Sequence, residues 1–163
     1  MVSDGRAHNL FQRARRANEA IGAWAGRRQP RVGLDDLILD PELLRSVRRL
    51  FNNGHHAQAV EQAYKLINNL VKKRVKTTLD GAPLMRNAFS RQNPILRLNA
   101  LSNQSEQDEQ QGYMDVLAGV MTGIRNPRAH EHDWEDTERR ALELLILADH
   151  LIGRIKGADY APE

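Results

Sequence analysis

Arg125, Asn126 and His130 lie within six residues of one another, in the run Arg125-Asn126-Pro127-Arg128-Ala129-His130. Guanidinium is a planar fork of donors that can clamp a phosphate. Imidazole is the side chain whose ordinary pKa suits proton transfer near neutrality. The two together suffice to cut RNA, which brings its own nucleophile, the 2′-hydroxyl. Cleavage needs a base for that proton, an acid for the departing 5′-oxygen, and cationic donors on the phosphorane-like transition state. In this reading His130 is the base or acid, Arg125 stabilises phosphate charge, and Asn126 orients the imidazole or the RNA. Arg128 could add a second phosphate contact or face water. The bland alternative is that the run only caps a helix, since cations sit well at a helix C-terminus.

The flanking residues sharpen this chemistry. His132 also stands within reach of the motif, so either His130 or His132 could be the catalytic histidine. With Arg128 and Trp134 it is a candidate RNA contact; Trp134 offers an indole for base stacking, although packing is its commoner use. His130-Glu131-His132-Asp133 could converge on a zinc or manganese ion. No distant ligand pair accompanies it, so neither metal nor cofactor is expected. The Lys72 to Lys76 cluster reads as a solvated helix end, and His55-His56 as a helix start. A phosphate-cradling glycine loop and a Gly-x-Ser-x-Gly elbow are both missing from the sequence, which disfavours nucleotide hydrolysis and acyl transfer.

Composition bounds the scaffold. The 163 residues suit a single domain, and 40% apolar with 28% charged is a globular rather than a disordered mixture. The lack of cysteine removes disulfides, thiolate metal sites and a cysteine nucleophile, and fits a reducing cytoplasm. No apolar run approaches the roughly 18 residues that span a bilayer, so no membrane is expected. The net charge of +3 is unevenly placed: residues 1–31 carry seven arginines against Asp4 and Glu19, a local +5. A basic arm on a near-neutral body suggests a polyanion or an acidic partner surface, or simply a solvated helix face.

The elements that must hold the motif read as helices. Ala7, Leu10, Phe11, Ala14, Ala17, Ile21, Trp24 and Ala25 recur at three- and four-residue spacing, which predicts a basic amphipathic helix, followed by a linker to residue 33. Asp40-Pro41-Glu42 is a helix start, with Leu43, Leu44, Val47, Leu50 and Phe51 inward and Asn53-Gly54 at the end. A longer helix follows over His55 to Thr78, burying Ala59, Val60, Ala63, Leu66, Ile67, Leu70 and Val71. Asp80-Gly81 and Pro83 mark a break, and Leu84 to Leu101 reads as short helical turns and loop, interrupted by Asn93-Pro94. Ser105 to Asp108 resembles a capping box, opening a helix that buries Tyr113, Val116, Leu117, Val120, Met121 and Ile124. Pro127 is expected to end that helix, leaving Arg125 at its C-terminus and His130 in the turn beyond. Asp136 or Thr137 starts the last helix, with Leu142, Leu145, Ile146, Leu151, Ile152 and Ile155 inward. Nothing alternates at period two long enough for a strand, so the fold class is all-α.

From about Asp40 onward the chain resembles the Ymh-type family of the HEPN superfamily, bacterial and phage-encoded helical domains. The resemblance is carried by Asp40-Pro41, Phe51-x-x-Gly54-His55, Ala59 to Ala63 leading to Asn68-Asn69, Asp80-Gly81, Leu84-Met85, Ala88-Phe89-Ser90, Asn93-Pro94, Gln111-Gly112-Tyr113 and Gly123 to Glu131. It implies a HEPN-like bundle of four to five helices over residues 34–163, with the basic helix and linker of residues 1–33 outside it. It further implies a homodimer and metal-independent endoribonuclease activity, with Arg125, Asn126 and His130 matching the superfamily's signature of an arginine, four to six residues and a histidine at its shortest spacing, Arg-x4-His. Such proteins act in phage defence or toxin–antitoxin pairs, with a sensor or antitoxin as partner, which here could contact the basic N-terminal helix. One histidine per motif means that acid and base would come from two chains sharing a cleft. The products would be 2′,3′-cyclic phosphate and 5′-hydroxyl ends. A catalytically silent HEPN module that dimerises or binds RNA is the alternative. A DNA-binding regulator is a weaker one, for want of a helix-turn-helix signature.

Overall fold

Asp40-Pro41 starts a helix because each residue removes a cost of helix entry, and the chain uses both. The computed structural model describes residues 33–131 and 133–161, so the expected N-terminal helix and His132 lie outside the described residues. After a single turn, α1 (Leu34–Leu37), the chain enters α2 (Pro41–Asn52). The Asp40 carboxylate accepts from the backbone N–H of Glu42 at 3.1 Å and of Leu43 at 3.0 Å, filling donors that a helix start leaves open. Leu39 and Asp40 in turn donate their own N–H groups to Asp149. Helix α2 buries Leu43, Val47 and Phe51, while Leu44 and Leu50 are half-buried at its edges. Gly54, at φ +79°, makes the left-handed turn out of it.

Helix α3 (His56–Val75) is the hub of the bundle. It packs against α2 on one side and against the last helix, α7 (Glu138–Lys156), on another. Its inward face is Ala57, Ala59, Val60, Ala63, Tyr64, Ile67, Asn68 and Val71. Each fully buried Val, Leu, Ile or Phe in such a core contributes about 1.5–3 kcal/mol. Tyr64 adds a directional contact: its hydroxyl donates to the Leu144 carbonyl at 3.0 Å. Burial pushes that phenol well above its usual pKa, against a smaller opposing pull from Arg128. The helix ends at Val75, capped by Lys76 at φ +50°, three residues short of the Thr78 expected.

Several other expectations need correction. Asp80-Gly81, expected as a break, opens helix α4 (Gly81–Ala88), the helical part of the stretch read as short helical turns and loop, with Pro83 tolerated in the first turn where its missing N–H costs nothing. The capping residue of α5 (Gln104–Val120) is Asn103, whose side chain accepts from Glu106 N–H at 3.0 Å. Glu106 reaches back to the N–H and hydroxyl of Ser102, so the reciprocal cap sits two residues before the expected one. Val116 and Ile146, both expected inside, are exposed. A two-residue antiparallel ribbon, β1 (Leu96–Arg97) with β2 (Asp159–Tyr160), escaped the periodicity argument because it is too short to alternate. Gln110, fully buried, holds the chain around β1 by bonding Leu98 N–H and the carbonyls of Phe89 and Leu96.

The described part of the chain is thus predominantly all-α. Among the described residues no helix is long and apolar enough to cross a membrane.

Candidate functional site

The helix does not end at Pro127. Helix α5 runs into a π-helical turn, Met121–Arg125, and this into α6 (Asn126–His130), all with right-handed helical dihedrals. Asn126 N–H bonds the Met121 carbonyl, one residue further back than in an α-helix. The widened turn relieves the clash that proline otherwise makes with the preceding turn, so the chain stays helical where the local rule predicts a stop. His130 is therefore the last residue of a helix, not part of the turn expected beyond it. Arg125 and His130 are five residues apart, so the helix separates them by about 140° around the axis and about 7.5 Å along it. They do not share one face.

Arg125 faces a polar cluster that the sequence reading did not assemble. Its guanidinium lies 3.3 Å from the Asn126 side-chain oxygen and 3.6 Å from the Asp80 carboxylate. Asp80 also receives Asn68 at 2.7 Å and lies 3.5 Å from the Lys72 ammonium. Asn68 is buried on α3, and its carbonyl oxygen accepts from Gly81 N–H at 2.9 Å. The Asp80–Arg125 contact is long, and Asp80 is about half exposed. An ion pair of this kind contributes about 0–1 kcal/mol. Arg125 thus lacks a short ion-pair bond, with its side chain 22% exposed and its Nε enclosed without a partner among the described residues.

Arg128 is placed quite differently. Its Nε and Nη2 bond the two oxygens of Asp136 at 2.6 and 2.7 Å, and Nη1 bonds the Ile124 carbonyl at 2.7 Å. Its side chain is 2% exposed and that of Asp136 0%. A guanidinium so enclosed cannot reach a backbone phosphate without leaving this pair, and its place is that of a clamp between α6 and the start of α7. Trp134 lies half-buried against it, 5.4 Å from the Arg128 guanidinium and 6.0 Å from that of Arg140. The indole nitrogen is enclosed with no partner among the described residues.

His130 is exposed at the tip of α6, and no described residue pairs with it. The site residues therefore divide in two. Arg125 and Asn126 sit together beside Asp80, Asn68 and Lys72; Arg128 and Trp134 sit together beside Asp136. No group of three or more His, Asp or Glu among the described residues could hold a metal ion. In the sequence Asp80 marks a break and Asn68 enters only through the family resemblance. Their union with Arg125 was not legible, because 45 residues separate Asp80 from Arg125.

Residues 38–155 match the model of a family described as "Protein of unknown function (Hypoth_ymh)". The chain belongs to the Hypoth_Ymh family. No curated protein and no solved structure matches it. The Hypoth_Ymh span takes in the Asp40 cap, the Asn68–Asp80–Arg125 cluster, the π-helical turn and the Arg128–Asp136 clamp. The basic arm of residues 1–31 lies before it.

Proposed function

We propose that the chain is a metal-independent endoribonuclease of the HEPN type, in which two copies present Arg125, Asn126 and His130 to a shared cleft. The observation that carries this reading is the contrast within one motif. Arg128 is locked away on Asp136, whereas Arg125 is held only loosely and His130 is exposed and unpaired among the described residues. The clamp fixes α6 and leaves the other two groups available. Their divergence around the helix suits a cleft completed by a second chain rather than a site closed within one.

In the reaction, one imidazole takes the 2′-hydroxyl proton as that oxygen attacks the neighbouring phosphorus. The imidazolium of the second chain gives its proton to the departing 5′-oxygen. Arg125 replaces Asp80 with the phosphate oxygens and stabilises the charge that grows on them. Asn126, already bonded to Arg125, keeps the fork aimed. The products are a 2′,3′-cyclic phosphate and a 5′-hydroxyl. Such an enzyme would serve as the effector of an anti-phage defence or a toxin–antitoxin pair, with the basic residues 1–31 as the contact for a sensor or antitoxin.

Mixing wild-type and His130→Ala chains in equal amounts tests the shared cleft. Random pairing leaves about a quarter of the dimers with two histidines, so activity should fall to about one quarter of the unmixed enzyme's. A fall to only one half would mean that each chain acts alone. One observation favours a second reading, a silent RNA-binding or dimerising module: Asp80 already neutralises part of the Arg125 charge. A wild-type protein that retains RNA on a filter yet leaves it intact would support that reading.

A further inference from the structure

A cleft of about 410 Å³ opens between the start of α3 and the loop joining α6 to α7. His55, His56 and Gln58 line one side; Asp133, Trp134 and Glu135 line the other. Its size falls within the range of small-ligand pockets, about 300–1,000 Å³. None of these residues takes part in the phosphate chemistry above. Asp133 and Glu135 are exposed, and neither pairs with another described residue, whereas Asp136, which also lines the cleft, is committed to Arg128. Ionised carboxylates are acceptors only, and they repel a phosphodiester. The ligand portion that enters must therefore be free of negative charge, flat enough to lie against the Trp134 and histidine rings, and rich in donors.

A nucleobase meets the first two conditions. Guanine alone meets the third, because its Watson–Crick edge carries N1–H and the N2 amine side by side, matching a carboxylate bidentately. Adenine and cytosine pair one donor with an acceptor on that edge, and uracil flanks its single donor with carbonyls. Trp134 suits the stacking role because the Arg128 and Arg140 guanidinium groups hold its ring in place. Position agrees as well. Asp133 follows His130 by three residues, at most about 11 Å of chain, so a base in the cleft belongs to a nucleotide beside the scissile phosphate. Single-stranded RNA is read in this manner, with bases splayed out, stacked and bonded along their edges.

We propose that this cleft is the base-recognition site of the ribonuclease and that it selects guanine next to the bond cut; the proposal rests on the ribonuclease reading. The four nucleosides, which carry no phosphate, should be titrated into the full-length protein by calorimetry. Guanosine should bind about tenfold or more tightly than adenosine, cytidine or uridine, as expected for one bidentate pair. The Asp133→Asn/Glu135→Gln double variant, whose circular dichroism should match the wild type, should lose that preference. Cuts mapped on a mixed-sequence RNA should fall beside guanine in the wild type and spread to other bases in the variant. Equal binding of the four nucleosides, or a guanine preference that survives in the variant, would overturn the assignment. The two readings fail separately. Cutting without base preference removes the role given to the cleft and leaves the ribonuclease standing. Guanosine binding without any cutting removes the ribonuclease, and with it the role proposed for the bound base.

Discussion

Replacing Asp136 by alanine should be among the most damaging changes available in this chain, because its carboxylate is committed to Arg128. The substitution deletes two short bonds, of 2.6 and 2.7 Å, to a guanidinium whose side chain is 2% exposed. Breaking a buried pair by removing one partner costs about 3–5 kcal/mol, chiefly because the other charge is left without compensation. Arg128 would keep the Ile124 carbonyl and the Trp134 ring, which places the loss near the lower figure, about 3 kcal/mol. For a domain of this size that is roughly a 10 °C fall in Tm. Urea unfolding followed by circular dichroism at neutral pH measures it. The Arg128→Met/Asp136→Leu double variant is the control, since swapping the whole pair for apolar side chains should recover most of the loss. A change below about 1 kcal/mol for Asp136→Ala would mean that the pair behaves as an exposed one, and the clamp would have to be abandoned.

Three further outcomes follow from other parts of the fold. Gln110→Leu strands the Leu98 N–H and the Phe89 and Leu96 carbonyls and should lower stability by about 3 kcal/mol, read from the urea midpoint. Gly81→Ala meets no atom within 4 Å, so its cost is the left-handed backbone at φ +59° alone, about 1 kcal/mol in the same assay. Burial by itself would raise the Asp40 pKa, but Lys156 and the two backbone donors outweigh it and hold the carboxyl below its ordinary value. Its contribution is therefore complete above the unfolded-state pKa near 3.9 and disappears as pH falls through the lower folded value. Stability measured from pH 6 down to pH 2 should lose part of its acid slope in Asp40→Asn; an unchanged slope would refute the assignment.

How much of this could be read from sequence depended on how far apart the deciding residues lie. The α2 start was legible because Asp40, Pro41 and Glu42 act on one another's immediate backbone. The stripe of α3 was legible because a bundle hub buries a regular face, although Tyr64 and Asn68 showed themselves only once their partners were in place. The π-helical turn defeated the local rule that proline ends a helix. What overrides the rule is tertiary: α3 and α4 pack on that turn, and Asp136 ties down the helix that follows. The same distance effect blurred the motif. Arg125 and Arg128 look alike in sequence, and a carboxylate eight residues beyond Arg128 separates a clamp from an available cation. Asp136 had been visible only as a possible helix start. Val116 and Ile146 fit the helical period of their segments but fall at its margin, where burial depends on a neighbour the period cannot supply.

Incubation of RNA with the full-length protein in excess EDTA, with the product ends mapped, bears most directly on the proposed activity. The wild type should cut and leave 2′,3′-cyclic phosphate and 5′-hydroxyl ends. Arg125→Ala and His130→Ala, each folded by circular dichroism, should cut at least about a hundredfold more slowly, the scale of a lost acid–base or charge-stabilising group. Cutting that persists in His130→Ala, or that EDTA abolishes in the wild type, would contradict the account.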